Sequence, residues 1–105
     1  MEYSAIYTIV DKGKAEGVVE TSRLAGATGA TIIDARGSGI HEAQRLFAME
    51  VEPEKEIVLI LTRTPQVAGI VDAIREHLCI DEPGNGMLFV QPVQEIVGLG
   101  GEVSR

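Results

Sequence analysis

The sequence predicts an α+β fold in the order β-α-β-β-α-β: a four-stranded antiparallel sheet with two helices on one face, the ferredoxin-like arrangement. Three observations predict it. Four short segments, residues 3–10, 30–35, 56–62 and 87–93, are rich in β-branched and apolar residues. Two longer segments carry apolar residues at i, i+3, i+4 spacing. Clusters of Gly, Pro, Asn and Asp separate most of them.

Each element has local grounds. Residues 3–10 read as the first strand, stopped by Asp11, Lys12 and Gly13. Residues 14–25 read as a helix with Ala15, Val18, Val19, Ser22 and Ala25 on one face, and Gly26 follows as its C′ glycine. The apolar run 30–35 reads as the second strand, broken by Arg36-Gly37-Ser38-Gly39. Residues 40–55 read as a long connection holding one or two helical turns, because Val51-Glu52-Pro53-Glu54 cannot continue a helix. The run 56–62 is a strong third strand. Thr64 reads as an N-cap with Pro65 at the first helical position, and the helix reaches about Leu78 on a stripe of Val67, Ile70, Val71, Ile74 and Leu78. Residues 81–86 form a turn-rich loop before the last main strand, 87–93. Gly98, Gly100 and Gly101 mark a loose tail over 98–105. The sheet face away from the helices is also apolar, which predicts oligomerisation.

The chain has 105 residues, the size of one domain spanning 1–105. Nine basic against sixteen acidic residues give a net charge of −7, which argues against nonspecific nucleic-acid binding and against an anionic membrane surface. Cys79 is the single cysteine. It cannot form an internal disulfide, and with His41 and His77 poorly spaced it cannot build a zinc site. No apolar run approaches the length of a membrane span, and Met1-Glu2-Tyr3-Ser4 lacks a basic signal region. The expectation is a cytoplasmic protein without membrane insertion.

The motifs are glycine loops rather than catalytic sets. Gly37-Ser38-Gly39 follows a strand but lacks the third glycine of a dinucleotide fingerprint, since Glu42 stands there. It reads as a tight turn whose backbone can approach a phosphate. Pro83-Gly84-Asn85-Gly86 reads either as an anion nest or as a turn with Gly84, Asn85 and Gly86 in left-handed conformations. Arg36 abuts the first glycine pair and is the basic residue placed to face an anion. Cys79 reads as core or interface, His77 as exposed, His41 as a loop histidine, and Glu50, Glu52, Glu54 and Glu56 as a solvated acidic run. No catalytic residue and no metal site is expected.

The segments Ala30-Thr31-Ile32-Ile33-Asp34-Ala35-Arg36-Gly37-Ser38-Gly39 and Pro83-Gly84-Asn85-Gly86-Met87-Leu88-Phe89-Val90, in this element order, resemble the PII nitrogen-regulatory signalling proteins. The resemblance covers about residues 3 to 97. It implies a non-enzymatic, cytoplasmic homotrimer that senses adenine nucleotides in clefts between subunits and regulates a transporter or enzyme through a long loop, the T-loop, here about 39–54. Carried over residue by residue, it implies ligand contacts at Ile9, Thr31, Arg36, Gly37, Ser38, Gly39, Gly84, Asn85, Gly86 and Met87. Leu46, Phe47 and Met49 become the docking side chains of a shortened T-loop. The implied effector is ATP, ADP, AMP or another small anion, with no resident cofactor. Met87, Gly98, Gly100 and Glu54 stand where the family carries basic residues, so the backbone nests remain while several phosphate-neutralising cations are lost.

Two other classes fit the fold. One is a small enzyme of acylphosphatase type, with Arg36 cradling a phosphate and Asn85 orienting water. The other is a metal- or stress-tolerance trimer of related architecture, with His41, Glu42 and nearby acids as ligands.

Overall fold

The computed structural model describes residues 2–38, 53–99 and, as backbone, 102–104. The described residues form six strands and two α-helices: β1 Tyr3–Asp11, α1 Ala15–Leu24, β2 Thr31–Arg36, β3 Glu54–Arg63, α2 Val67–Leu78, β4 Met87–Val93, β5 Ile96–Leu99 and β6 Glu102–Ser104. The main sheet has strand order β2-β3-β1-β4, antiparallel throughout. Two helices and this sheet are the expected ferredoxin-like architecture.

Alternation along the strands fixes two faces. Ile6, Thr8 and Val10 of β1 lie opposite Ile60, Val58 and Glu56 of β3. Ile6, Val10, Val58 and Ile60 pack with Ala15, Val18, Ile70 and Ile74 of the helices in one buried core. The apolar stripes of both helices therefore lie where their spacing puts them. The other face carries Tyr7, Ile9, Ile33, Ile57, Leu59, Leu61, Met87 and Phe89, with Tyr7 and Phe89 stacked at 4.6 Å between ring centroids. Ile33, Leu61, Met87 and Phe89 are each more than a third exposed, so this face is apolar and is not covered by the other described residues.

Several local expectations are corrected. Thr64 is not the N-cap of α2. It opens a 3₁₀ turn, Thr64–Gln66, that leads into the helix, and its hydroxyl pairs with Ser4 Oγ at 2.9 Å. A tertiary partner in β1 outcompetes the local cap. Strand β3 begins two residues early, at Glu54, because Glu54 and Lys55 continue the ladder against Arg36 and Ala35. Asn85 does not take a left-handed conformation. Gly84 and Gly86 do, at φ +85° and +124°, and among the described non-glycine residues it is Cys79, closing α2, that has a positive φ. The tail is not simply loose, since β5 and β6 pair as a second, two-stranded sheet. Gly39, Leu46, Phe47, Met49 and Gly100 lie outside the described residues, as do His41 and Glu42.

Candidate functional site

The sheet register brings four chain segments to one end of the molecule. Arg36, ending β2, lies opposite Glu54, starting β3, and Lys55 neighbours Asp11, ending β1. Ile9 lies opposite Met87, the first residue of β4. The stems of the 39–52 connection are closed by hydrogen bonds from Gly37 N–H to Pro53 O (3.2 Å) and from Lys12 N–H to Glu54 O (3.3 Å).

Glu56 organises this end from the helix side. One carboxylate oxygen accepts the N–H groups of Gly13 at 2.8 Å and Ala15 at 3.1 Å. It satisfies donors at the start of α1, where Lys14 in the N-cap position makes no side-chain cap of its own. The β1–α1 turn is thereby tied to the third strand.

Two clefts flank this tie. The first, about 270 Å³, lies at the root of the connection and is lined by Lys12, Asp34, Ala35, Arg36, Glu54 and Lys55. Both of its lysines are paired to acids of the same chain. Lys12 Nζ lies 2.9 Å from Glu54, and Lys55 Nζ lies 2.6 Å from Asp11. The hydrogen bond to Glu54, followed by the charge of Glu54 and, more weakly, of Asp34 and Glu56, raises the Lys12 pKa above its ordinary value. Arg36 has no ion pair among the described residues.

The second cleft, about 420 Å³, is lined by Asp11, Gly13, Lys14, Gly17, His77, Leu78, Gly84 and Asn85. The loop of Gly84 and Gly86 forms one wall. Asn85 holds that loop in shape, donating from its backbone to Glu82 O at 3.4 Å and from its side chain to Cys79 O at 3.2 Å. Gly86 is required by geometry: at φ +124°, a Cβ there would stand 2.9 Å from Ile9 O. At Gly17 a Cβ would stand 2.7 Å from Nε2 at the end of the exposed His77 side chain, which can swing away.

The expected ligand residues thus divide into two groups within one chain. Ile9, Gly86 and Met87 come together, with Gly84 and Asn85 beside them. Arg36, Gly37 and Ser38 form the other group. Strands β3 and β1 separate β2 from β4, so the groups sit at opposite sheet edges, about 14 Å apart at the usual strand spacing. Thr31 joins neither group: five residues along β2 place it about 17 Å from Arg36. Sequence reasoning missed Lys12, Asp34, Glu54 and Lys55 as lining residues of the root cleft, and Lys14 and His77 of the second. No local spacing joins residues more than 40 positions apart. Only the strand register does. Among the described residues, no group of His, Cys, Asp or Glu is arranged to hold a metal ion, and no helix is long and apolar enough to cross a membrane.

Comparison with known proteins agrees with this geometry. Two solved structures share the fold, each with a TM-score of 0.74 over 97% of this chain. One is Arabidopsis thaliana PII bound to citrate, 23% identical and covered over 85% of its own length. The other is the B. subtilis GlnK–ATP complex, 17% identical and covered over 92%. The sequence model of the family described as Nitrogen regulatory protein P-II matches residues 3–101, nearly the whole chain. The chain belongs to the nitrogen regulatory protein P-II family.

Proposed function

We propose that this protein is a small-effector signalling protein that binds an adenine nucleotide in clefts between subunits of a homotrimer and regulates a transporter or enzyme through the 40–54 loop. The observation that carries the reading is the division of the ligand groups. Arg36-Gly37-Ser38 and the Gly84–Gly86 loop face the same end of the sheet from opposite edges. A neighbouring copy placed edge to edge would bring one group of each chain together. The uncovered apolar face gives copies of the chain a reason to associate.

Family membership supports a binding and relay role, and the chemistry agrees. Proteins of this family are in general non-enzymatic signalling proteins. Citrate in the plant protein and ATP in the bacillar one are both small anions. Arg36 and the backbone of the glycine turns are the groups here that suit an anion. The root of the 39–52 connection forms a wall of the cleft, so a bound ligand touches the stems of the loop directly. A ligand that prefers one arrangement of those stems biases the loop and hence the partner. A cytoplasmic setting is part of the same proposal.

A thermal-shift panel of ATP, ADP, AMP, cyclic nucleotides and 2-oxoglutarate, with and without Mg²⁺, tests the reading. A ligand at 100 times its dissociation constant adds about 2.7 kcal/mol per site, a shift of several degrees for a domain of this size. A shift with an adenine nucleotide, lost in Arg36→Ala, is expected. No shift with any of them overturns the nucleotide reading.

A further inference from the structure

We infer that the root cleft is charge-matched to a nucleotide carrying a single phosphate and discriminates against polyphosphates. The inference deepens the reading above and rests on it. The cleft brings three cations to the loop stems, but two are already committed. Lys12 is held by Glu54 at 2.9 Å and Lys55 by Asp11 at 2.6 Å. Asp34 lines the same cleft, and the Glu56 carboxylate lies behind it on the turn amides. Asp11, Asp34, Glu54 and Glu56 together outnumber Lys12, Arg36 and Lys55. Arg36 is left as the one lining cation without an ion pair among the described residues.

A ligand with one phosphate is answered by the Arg36 guanidinium and by backbone amides, which bring no net charge. A triphosphate brings about four negative charges into a cleft whose own acids already neutralise its lysines. It must break the Lys12–Glu54 pair or lie beside an uncompensated carboxylate. A second copy carries −7 overall, and the cleft beside its Gly84–Asn85 loop brings Lys14 together with Asp11. Of its nine basic residues, Lys12, Arg23, Lys55 and Arg75 are paired to acids of their own chain.

Calorimetric titration of the full-length protein with adenosine, AMP, ADP and ATP, without Mg²⁺, reads the inference directly. AMP is expected to bind tightest and ATP weakest of the three nucleotides, with Arg36→Gln reducing AMP to the level of adenosine. Glu54→Gln frees the Lys12 ammonium for a second phosphate. Its ratio of ATP to AMP dissociation constants should fall about threefold or more. Asp34→Asn, which removes a second lining acid and leaves the Lys12–Glu54 pair in place, should move the ratio in the same direction. ATP binding tightest in the unaltered protein, or a ratio unmoved in both variants, overturns the charge inference alone. Failure of all four compounds to bind overturns the nucleotide reading and the inference together.

Discussion

Glu56 is a carboxylate in a strand that acts as the cap of a distant helix. Replacing it with alanine removes the acceptor for Gly13 N–H and Ala15 N–H, at 2.8 and 3.1 Å, and leaves both donors at the start of α1 to water. The Gly13 bond is exposed and the Ala15 bond part-buried, so the relevant scale is that of a helix N-cap rather than of two buried charged hydrogen bonds. That scale gives about 1–2 kcal/mol, or a fall in Tm of about 5–10 °C for a domain of this size. Glutamine keeps an oxygen at the same position and should restore at least half of the loss. The assay is thermal and urea unfolding of the Glu56→Ala and Glu56→Gln variants, with circular dichroism checking that the fold is kept. A Glu56→Ala protein melting within about 1 °C of the parent would show that the two hydrogen bonds do not hold the turn. Equal melting of both variants would show that carboxylate charge, not acceptor geometry, is what matters.

Four further outcomes are expected. Gly86→Ala places a Cβ 2.9 Å from Ile9 O at a φ of +124°, so it should cost about 1–3 kcal/mol or more and weaken effector binding by shifting the loop off β1; an unchanged melt with unchanged binding refutes the close approach. Thr8 Oγ1 is buried without a partner among the described residues, and Thr8→Val should raise Tm by several degrees, whereas a fall would reveal a bond to the hydroxyl. Lys12 should titrate above 10.5 by NMR, and Glu54→Gln should bring it down, because the hydrogen bond to Glu54 is the main cause of the upward shift. Its sign follows from linkage: a raised folded pKa contributes stability that is complete below the unfolded value and is lost as pH rises through the folded one, so on the lysine side the pair is lost at alkaline pH. Leu59→Asp, in the middle of the open sheet face opposite Tyr7 and Thr31, should convert the assembly to monomer in light scattering, and an intact oligomer would move the interface elsewhere.

The fold was legible wherever one periodicity held over several residues. The stripe Val67, Ile70, Val71, Ile74 and Leu78 predicts α2 to its last residue, and the bounds of β4 coincide with its apolar run. Expectations failed where a distant partner decided a local question. Thr64 has the sequence of an N-cap, yet Ser4, sixty residues away, holds its hydroxyl. Glu54 and Lys55 look like solvated loop residues, but a partner strand continues the ladder through them. The four residues of β5 include Gly98 at φ +95° and show no alternation to read. The site was legible as glycine turns and not as a charge pattern. Gly37, Gly84 and Gly86 announce themselves by type. The pairing of Lys12 with Glu54 and of Asp11 with Lys55 depends on register between strands, which no single segment encodes.

The same topology explains why the binding groups are incomplete in one chain. A ferredoxin-like order places β2 and β4 at the two edges of the sheet, so any loop following β2 and any loop preceding β4 share an end but not an edge. Two glycine turns on one chain are thus parts of two different sites whenever copies meet edge to edge. On the function proposed above, binding stabilises the contact between copies and fixes the loop stems in one step, because such a ligand touches both. Within each copy, Glu56 ties the β1–α1 turn to β3 two residues from the Lys12–Glu54 pair. That pair is more than half exposed on both sides and contributes little to folding. Its position at the stem of the loop gives it a second role on the inference above: an incoming phosphate would compete with Glu54 for the same ammonium. A Lys12 that served only stability would make Lys12→Gln lower the melting temperature and leave the preference among nucleotides unchanged. Coupling through this pair predicts near-parental unfolding together with an altered preference among nucleotides.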